Sequence, residues 1–356
     1  MVPAKGGVEF DALLNGQGPF RLIFDSGASA NALSPAVAKQ IGLRMEGPVI
    51  QATGAGSGSI ATQAANVAQV RIGDLVLHDQ TFLIVPLPWQ DRPGPVGEVS
   101  YEMMKRLIVT VDYEHEQLGF TSPLAFSHSG KGVMVPIEPA PSQIEVRASI
   151  DGANGVFLID TGDEASLTLE QRFVAQHNLV KKMSPRYHGY SGSGVGGPEP
   201  AAYYGRVKTL RIGEAEVNNV IAFLCDGQAI SPENAGNIGT LILRQFNITF
   251  DVPHGVLYFE KNSNWGKPEV FNRAGIVVDS IQQDQKVMTI LPGSPAEIAG
   301  VAVGDIIMAI DGRAPNDNPL QRDDPAFLQP VGTVVRLTIQ HGDKIRTIDL
   351  TLRDLL

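Results

Sequence analysis

The sequence predicts a mostly β protein that consists of two related halves followed by a mixed α/β unit. Its 38 glycines and 24 prolines, together with few long helical patterns, favour strands joined by turns. An internal repeat covers most of residues 5 to 261 and stops before the C-terminal part of the chain. A length of 356 residues is enough for two or three domains, each with its own core.

The repeat becomes visible when Asp25 is set on Asp160, at an offset of 135 residues. Upstream of these positions, VEFDALLNGQGPFRLIFD aligns with IEVRASIDGANGVFLID. Both segments show the alternating polarity of strands, and the Asn15-Gly16 and Asp151-Gly152 pairs are typical of tight β-hairpin turns. Each copy therefore predicts a hairpin whose second strand ends at an aspartate.

Downstream of each aspartate the two copies keep the same order of elements. Both have a short helical stretch, SPAVAKQIGL or LEQRFVAQHNL, then a glycine-rich piece and a strand that ends in VRIG or LRIG. Both close with a helix end, a strand, an Asp turn and a final strand, MMKRLIVTVDYEHEQLGF or ILRQFNITFDVPHGVLYF. We therefore expect a first lobe over residues 1–127 and a second over 128–262.

The third unit is expected over residues 263–356. The pattern predicts a strand, a short helix over 295–299, a second strand, a helix around 324–329 and a terminal hairpin. The polar stretch over 260–269 is the expected linker.

Composition and spacing exclude several classes of function. A net charge of −10 disfavours nucleic acid or an anionic membrane surface as the main partner. The single Cys225 forms no intramolecular disulfide, and seven scattered histidines without ligand spacing give no reason to expect a metal or another cofactor. The glycines over 192–197 match a dinucleotide fingerprint, but no helix follows them. No apolar run of 18 residues occurs, so a membrane-spanning helix is not expected.

The two aspartates gain meaning only as a pair. Alone, Asp-Ser-Gly or Asp-Thr-Gly is most often a turn, because Asp bonds its own backbone and Gly accepts positive φ. Here each acid follows a strand that should be buried, where a carboxylate is costly, and each holds the equivalent place in a repeated lobe. If the lobes pack about a pseudo-twofold axis, the two carboxyls meet, and one keeps a proton while the other acts as a base. Such a pair can activate water for attack on an amide carbonyl.

These features resemble the aspartic proteases of the retropepsin-like kind, here with two lobes fused in one chain. The family pattern is an apolar strand, Asp-Thr/Ser-Gly, a glycine-rich flap, and later two apolar residues with Gly before a helix. The matching stretches are DSG (25 to 27) and DTG (160 to 162), TGAGSGS (53 to 59) and SGSGVGG (191 to 197), and PVG (95 to 97) and NIG (237 to 239). The resemblance spans both lobes and implies two pseudo-twofold-related β-barrels.

The resemblance also assigns roles to residues. Asp25 and Asp160 would be the catalytic dyad, and the flaps would close over an extended peptide. Ser26 and Thr161 would hydrogen-bond across the lobe interface and hold the two loops rigid. The residues expected to support the dyad are Ser26, Gly27, Thr161 and Gly162. The flap residues expected at the substrate are Gly54, Ala55, Gly56, Ser57, Gly58, Ser193, Gly194 and Val195.

The second motif departs from the family pattern. It continues with Asp163 and Glu164, where the family prefers Ala, Ser or Thr, and it is one residue longer than the first motif. Inward-pointing acids would raise the pKa of the dyad by like-charge repulsion. The first motif has Ala28, which has no hydroxyl to stabilise the ionised form. We expect a pH optimum less acidic than that of gastric pepsins.

The third unit resembles a PDZ domain of the type attached to bacterial proteases, through ILPGSPAEIAGVAVGDIIMAIDGR (290 to 313). Such domains capture a peptide, commonly a protein C-terminus, as an added strand at a sheet edge. The resemblance places this peptide site in the segment before the first strand, at Ala274, Gly275, Ile276 and Val277.

The sequence therefore predicts an aspartic endopeptidase that cleaves peptides or unfolded proteins, with a PDZ unit that recruits or gates the substrate. One alternative is a catalytically inactive peptide-binding scaffold with the same fold. Another is that each lobe pairs with its counterpart in a second chain, although fusion favours pairing within one chain. The family resemblance favours a bacterial periplasmic or secreted location if an export signal has been trimmed, and a cytoplasmic one otherwise.

Overall fold

The computed structural model describes residues 1–3, 8–87, 94–128, 130, 132–183, 187–227, 234–278, 285–315 and 323–356. Within these residues the chain forms two β-barrels, a sheet shared between them, and a smaller C-terminal unit. The predicted mostly β fold of two lobes plus a PDZ-like unit is confirmed.

The first lobe contains ten strands and two α-helices among the described residues. A 3-10 helix over Pro123–Ala125 follows them. The helices are α1 (Pro35–Gln40) and α2 (Tyr101–Met104). The strands are β1 (Val2–Pro3), β2 (Glu9–Leu14), β3 (Gln17–Phe24), β4 (Ala32–Leu33), β5 (Met45–Thr53), β6 (Ser59–Ile72), β7 (Leu75–Ile84), β8 (Gly97–Val99), β9 (Ile108–Asp112) and β10 (Gln117–Thr121).

The first barrel closes in the order β2-β3-β8-β4-β7-β6, because β6 pairs back with β2. The predicted turn between β2 and β3 has Asn15 at φ 50° and Gly16 at φ 76°, the left-handed conformation that a two-residue hairpin turn requires. Helix α1 begins where the Ser34 hydroxyl accepts a hydrogen bond from Val37 N, with proline at its first position. Alternate residues of the strands, such as Phe10 and Leu22, fill the barrel interior.

The second lobe repeats this arrangement. Its helices are α3 (Gln171–Gln176), α4 (Leu179–Met183) and α5 (Thr240–Leu243), and a 3-10 helix spans Val252–His254. The strands are β11 (Val133–Glu138), β12 (Glu145–Ile150), β13 (Ala153–Ile159), β14 (Leu167–Leu169), β15 (Tyr187–Gly189), β16 (Ser193–Gly194), β17 (Gly197–Pro198), β18 (Ala202–Ile212), β19 (Ala215–Cys225), β20 (Gly236–Ile238), β21 (Phe246–Asp251) and β22 (Val256–Lys261).

The second barrel closes in the order β12-β13-β20-β14-β19-β18, because β12 also pairs with β18. This order matches that of the first barrel strand for strand. The turn between β12 and β13 has Asp151 at φ 47° and Gly152 at φ 83°, as at the equivalent turn of the first lobe. The repeat in the sequence therefore corresponds to a repeat in topology.

A shared sheet joins the two lobes in the order β1-β10-β9-β21-β22-β11. Its centre is the antiparallel pair of β9 and β21, which come from different lobes. Thr110 and Thr249 pair there and their hydroxyls lie 3.2 Å apart, while Phe24 and Phe250 make an edge-to-face contact with ring centroids 5.4 Å apart. The lobes therefore pair within one chain, about a pseudo-twofold axis between β9 and β21.

The C-terminal unit has its own core and also packs on the second lobe. It contains β23 (Ile276–Val278), β24 (Val287–Ile290), α6 (Pro295–Ile298), β25 (Ile306–Ile310), β26 (Val334–His341) and β27 (Lys344–Thr351). The predicted short helix, second strand and terminal hairpin are present. The segment predicted as a helix over 324–329 forms a 3-10 helix over Pro325–Leu328, where Pro325 follows the capping Asp324 and a second proline, Pro330, ends the segment.

The connection over 260–269 is packed against the second lobe rather than extended as a free linker. Trp265 lies edge-on to Phe246 at 5.0 Å, and the Lys261 ammonium lies 4.0 Å from the Trp265 ring centroid. The Glu269 carboxyl accepts a hydrogen bond from the Ser166 hydroxyl and another, at 2.8 Å, from Ile221 N. This segment holds the C-terminal unit in place. Within the described residues, no helix has the length and apolar character to cross a membrane.

Candidate active site

Each barrel delivers one aspartate at the end of its second strand. Asp25 directly follows β3, and its backbone N donates to Val99 O of β8 at 2.9 Å. Asp160 directly follows β13, and its backbone N donates to Ile238 O of β20 at 3.1 Å. The two acids therefore occupy equivalent places in the two barrels, at the ends of strands whose last three residues are buried.

The two loops that follow are locked to each other by reciprocal hydrogen bonds. Ser26 N donates to Thr161 Oγ1 at 3.0 Å, and Thr161 N donates to Ser26 Oγ at 3.0 Å. Each hydroxyl also donates across the interface at 2.6 Å, Ser26 to Ile159 O and Thr161 to Phe24 O. Both side chains are inaccessible, with 0% and 1% exposure. These four bonds fix the relative position of the two aspartates without involving their carboxyl groups.

The glycines of the two motifs allow the carboxyls to meet. A Cβ atom on Gly27 would lie 2.4 Å from Asp160 Cγ, and a Cβ atom on Gly162 would lie 2.4 Å from Asp25 Oδ2. Each carboxyl therefore lies directly against the glycine of the other lobe, in a space that any side chain would fill. The two carboxyls are close enough for each to change the pKa of the other.

Within its own loop each carboxyl accepts two backbone hydrogen bonds through its inner oxygen. Asp25 Oδ1 accepts from Gly27 N at 2.8 Å and from Ala28 N at 3.0 Å. Asp160 Oδ1 accepts from Gly162 N at 2.9 Å and from Asp163 N at 3.1 Å. Backbone N–H donors aimed at one oxygen stabilise the ionised form of a carboxyl.

Burial has the opposite effect on the pKa of both carboxyls, and its effect is larger than that of the donors. Burial raises the pKa of Asp25 above its usual value, while the Gly27 and Ala28 N–H groups pull it down. Burial raises the pKa of Asp160 well above its usual value, and the charges of Asp25 and Asp163 add to the rise. Two carboxyls in contact cannot both ionise at little cost, so the pair retains a proton over a wide pH range.

The departure in the second motif is visible in the structure. Ala32 pairs with Glu98 seven residues after Asp25, whereas Thr168 pairs with Asn237 eight residues after Asp160. The second loop is therefore one residue longer, but the reciprocal bonds hold both loops equally. The extra length lies beyond the dyad and does not displace Asp160.

The acids of the longer loop are engaged locally. The Asp163 carboxyl accepts from Ala165 N at 2.8 Å and from Thr168 Oγ1 at 3.3 Å. Its charge still raises the pKa of both Asp25 and Asp160. Glu164 is partly buried, and burial first and then the charge of Asp163 raise its pKa to about 8.

The strand beside each aspartate carries a polar residue that the sequence pattern did not reveal. Asn237 of β20 pairs with Leu158, and its Nδ2 donates to Asp160 Oδ2 at 3.1 Å. Glu98 of β8 holds the equivalent place, since it pairs with Ile23 two residues before Asp25. Burial and the charge of Asp25 raise the pKa of Glu98 well above its usual value.

The predicted match of PVG (95 to 97) to NIG (237 to 239) is wrong by three residues. The strand pairing sets Gly97 opposite Leu22 and Gly236 opposite Phe157, so the equivalent of NIG is EVS (98 to 100). The expectation rested on an apolar pair before glycine, and the first lobe has instead an acid, one apolar residue and a serine that caps α2. Asn237 could have been identified as a site residue from the sequence, because it is the first residue of the NIG stretch (237 to 239).

The predicted flaps meet at their tips. The tip of the β5–β6 hairpin donates to the second lobe at 3.0 Å in three places: Gly56 N to Val195 O, Ser57 N to Pro198 O, and Gly58 N to Gly196 O. Further contacts involve Gly54 with Val195 and Gly194 with Ala55, while Ser193 lies in β16 of the small β16–β17 hairpin. A Cβ atom on Gly56 would lie 2.4 Å from Gly197 N, so only glycine permits this approach.

The predicted peptide-binding residues of the C-terminal unit lie at the start of β23. Ala274 N and Gly275 N both donate to Asn272 Oδ1, at 3.1 and 3.0 Å, and Asn272 Nδ2 donates to Ile276 O at 2.8 Å. Ala274 and Ile276 are buried, and Val277 packs against the second lobe. The chain's own Asn272 therefore engages the polar backbone groups of this segment.

The C-terminal unit also contacts the second flap. Thr289 of β24 accepts a hydrogen bond from Tyr190 N at 3.2 Å, and the Tyr190 hydroxyl lies 2.5 Å from Ser193 Oγ. Leu291 and Leu355 join Tyr204 in an apolar cluster on the outer face of the barrel. In the described part of the chain, no group of three or more His, Cys, Asp or Glu residues is arranged to hold a metal ion.

Two β-barrels that bring a pair of aspartates together at their interface have the architecture of an acid protease. The family model described as aspartyl protease matches residues 10–101 and 146–242, more than half of the chain, and the model described as PDZ domain matches residues 286–341. The chain therefore belongs to the aspartyl protease family and carries a C-terminal PDZ domain.

Among solved structures, the chain is similar to the aspartic proteinase from Irpex lacteus. The identity is 13% and the TM-score 0.49, over 75% of this chain and 98% of that one. None of the curated protein sequences matches the chain.

Proposed function

We propose that the protein is an aspartic endopeptidase in which Asp25 and Asp160 activate water for hydrolysis of peptide bonds. The observation that carries the proposal is the position of each carboxyl against the glycine of the other lobe, with Ser26 and Thr161 bonded across the interface. A protein that needed the two acids only for turns would have no reason to bury them in mutual contact.

The mechanism follows from the one proton that the pair shares. The ionised carboxyl removes a proton from a water molecule held between the two acids, and the water oxygen attacks the peptide carbonyl carbon. The protonated carboxyl donates its proton to the carbonyl oxygen, which forms a neutral tetrahedral intermediate. When the C–N bond breaks, the protonated carboxyl gives its proton to the amine nitrogen, and the ionised carboxyl takes a proton from a hydroxyl group of the intermediate, so the pair remains singly protonated.

The substrate in this proposal is an extended peptide or an unfolded segment that lies beneath the joined flap tips. Its entry requires that the three backbone hydrogen bonds between the tips open. Folded proteins would be poor substrates because a compact surface cannot follow the cleft.

Hydrolysis of an unstructured protein between pH 3 and pH 8 tests the proposal. Asp25→Asn and Asp160→Asn should each lower kcat by about 10²–10⁴-fold or more, since each removes a proton acceptor or donor from the reaction. Asp74→Asn, at an exposed position, is the matched control and should keep the wild-type rate. A wild-type rate in either dyad variant would show that the assignment is wrong.

The alternative is an inactive scaffold that binds peptides without cleaving them. Wild-type protein that binds an unstructured peptide but leaves it intact at every pH from 3 to 8 would favour this alternative. The raised pKa of both dyad acids supports hydrolysis instead, because the pair keeps the single proton that the reaction needs.

For the PDZ domain, we propose gating of the second flap rather than free capture of protein C-termini. The path of contacts runs from Thr289 to Tyr190 and from Tyr190 to Ser193, at the base of the small flap hairpin. The Ala274 and Gly275 N–H groups, which a captured carboxylate would need, already donate to Asn272. A peptide that displaced Asn272 would disturb the segment that leads into β23.

Thr289→Val in the full chain tests the gating proposal. Loss of the acceptor for Tyr190 N should change KM for a short peptide by about 2- to 5-fold, the worth of one partly buried hydrogen bond. Thr347→Val, on an exposed strand of the same domain, is the control. If instead Thr289→Val leaves short peptides unaffected and slows only proteins with an apolar C-terminus, the domain recruits substrates and does not gate the flap.

A further inference from the structure

The equivalent strands β8 and β20 carry different polar residues at the position closest to the dyad. In the second lobe Asn237 lies between Leu158 and Thr168 and donates to the outer oxygen of Asp160 at 3.1 Å. In the first lobe Glu98 lies between Ile23 and Ala32. Residues paired across neighbouring strands point to the same face of a sheet, so Glu98 points toward Asp25 as Asn237 points toward Asp160.

The backbone around the two positions superimposes in its hydrogen bonds. Val99 O, one residue after Glu98, accepts from Asp25 N at 2.9 Å, and Ile238 O, one residue after Asn237, accepts from Asp160 N at 3.1 Å. The side chain at each position is partly exposed, as expected for a residue on the wall of the cleft. An ionised glutamate here would add a negative charge beside the singly ionised dyad.

The surroundings of Glu98 favour its neutral form. The neighbouring strands present Ile23 from β3 and Ala32 from β4, both buried and apolar. The charged group that bears on Glu98 is Asp25, which raises its pKa together with burial. Asp25 in turn feels the charge of Asp163 from the second lobe. A protonated carboxyl is a hydrogen-bond donor, as an amide is.

We propose that Glu98 is the first lobe's counterpart of Asn237, a positioning residue that carries its own proton and uses it to hold the Asp25 carboxyl. The site then contains three carboxyls that share two protons in the active form, one on Glu98 and one in the dyad. This inference rests on the proposed function, because it assigns Glu98 an effect on the rate through Asp25.

The proposal predicts different effects for two substitutions of similar size. In Glu98→Gln the amide still donates a hydrogen bond, and unlike a carboxyl it does not lose its proton as the pH rises. The kcat/KM of this variant should therefore stay close to wild type at acidic pH. Its decline at high pH should move to higher pH, since the wild-type site can lose the Glu98 proton and the variant cannot. In Glu98→Leu the donor is gone, so kcat/KM should fall by about 10-fold and the acidic limb should move to higher pH.

The experiment measures full pH profiles of kcat/KM for wild type, both variants and the exposed control Glu214→Gln. A merely structural role would lower the whole profile of both variants without moving either limb, and that result would overturn the proposal. Equal profiles for wild type and Glu98→Leu would overturn it as well. Rescue by glutamine but not by leucine, with the shifted alkaline limb, is the expected outcome.

A second measurement separates this proposal from the proposed hydrolysis. Carbon-13 NMR of the glutamate carboxyls in the intact protein, with the Glu98 signal assigned through Glu98→Gln, follows its titration directly. Glu98 should titrate well above an ordinary glutamate, and Asp25→Asn should lower its pKa. If Glu98 titrates like an ordinary glutamate and Asp25→Asn does not change its pKa, the role of Glu98 is refuted even in an active enzyme. A protein that hydrolyses nothing but shows the shifted titration would refute only the proposed hydrolysis.

Discussion

The two loops that carry Asp25 and Asp160 share one backbone design but distribute their acids differently. Both loops cap their aspartate with two N–H groups, and both bond across the interface through a hydroxyl. The first lobe then has Ala28 after the glycine and Glu98 on the adjacent strand, whereas the second has Asp163 and Asn237. Each lobe thus adds one acid to the site, but at exchanged positions. The pseudo-twofold symmetry therefore holds for geometry and fails for charge.

The largest effect is expected where the lobes are most alike. Ser26→Ala and Thr161→Ala each leave one buried backbone N–H and one buried C=O without a partner, so each should lower the free energy of unfolding by about 2–4 kcal/mol. Urea denaturation measures both losses, and Ser29→Ala, exposed in the same loop, is the control. Losses that differ by more than about 2 kcal/mol would show that the two halves of the interface are not equivalent.

The next largest effect is expected at Asn237, whose side-chain amide donates a hydrogen bond to Asp160 in the second lobe. Asn237→Leu removes the 3.1 Å hydrogen bond to Asp160 Oδ2. Because this bond favours the ionised form, its loss should raise the pKa of the dyad, move the acidic limb of the pH profile to higher pH and lower kcat/KM by about 10-fold. An acidic limb that does not move would mean that Asn237 acts on substrate rather than on Asp160.

A smaller effect should follow from exchange of the charges after the two glycines. Asp163→Asn keeps an acceptor for Ala165 N but removes the charge, so the pKa of both dyad acids should fall and the pH profile should move to lower pH. Ala28→Asp should move the profile the other way. Profiles of the two variants that move in the same direction would contradict this electrostatic account.

The smallest effect concerns Glu164, which belongs only to the longer loop of the second lobe. Its pKa is about 8 in the folded protein, above the 4.5 of an ordinary glutamate. The folded state therefore binds more protons than the unfolded state between these values, and stability falls as the pH rises through this window. Glu164→Gln should raise the free energy of unfolding at pH 8 by about 1 kcal/mol, since solvent reaches this partly buried side chain, and should have no effect at pH 4. A gain at pH 4 as large as that at pH 8 would exclude titration as the cause.

Much of the fold was predictable because the repeat is strong and its turns are local. The left-handed residues Asn15 and Asp151 belong to hairpins that a few neighbouring residues specify, and the barrels follow from strands repeated in the same order. The position of the two aspartates followed from the repeat as well. The packing of the segment around Trp265 was not predictable, because the polar composition of the segment gives no sign that its one tryptophan packs against Phe246.

The residues missed at the site have a common cause. Glu98 is an acid where an apolar pattern is expected. An alignment of the two lobes by residue type therefore uses the nearby Gly97 as the matching glycine and sets the first lobe in the wrong register. The hydrogen bond from Tyr190 to Thr289 joins two distant segments whose sequences carry no sign of each other. Such contacts depend on how whole units pack, and periodicity or spacing within one unit cannot indicate them.

The shared sheet makes the boundary between the lobes a poor place to divide the gene. A chain cut between the 3-10 helix at Pro123–Ala125 and β11 would give two pieces, one with β9 as a bare edge and the other with β21. An unpaired edge strand readily pairs with a strand of another molecule, so each piece expressed alone should aggregate. The two pieces expressed together should pair with each other through β9 and β21. Recombination between relatives would likewise succeed only when the exchanged lobe brings a matching edge. The two halves are therefore bound to evolve as a pair.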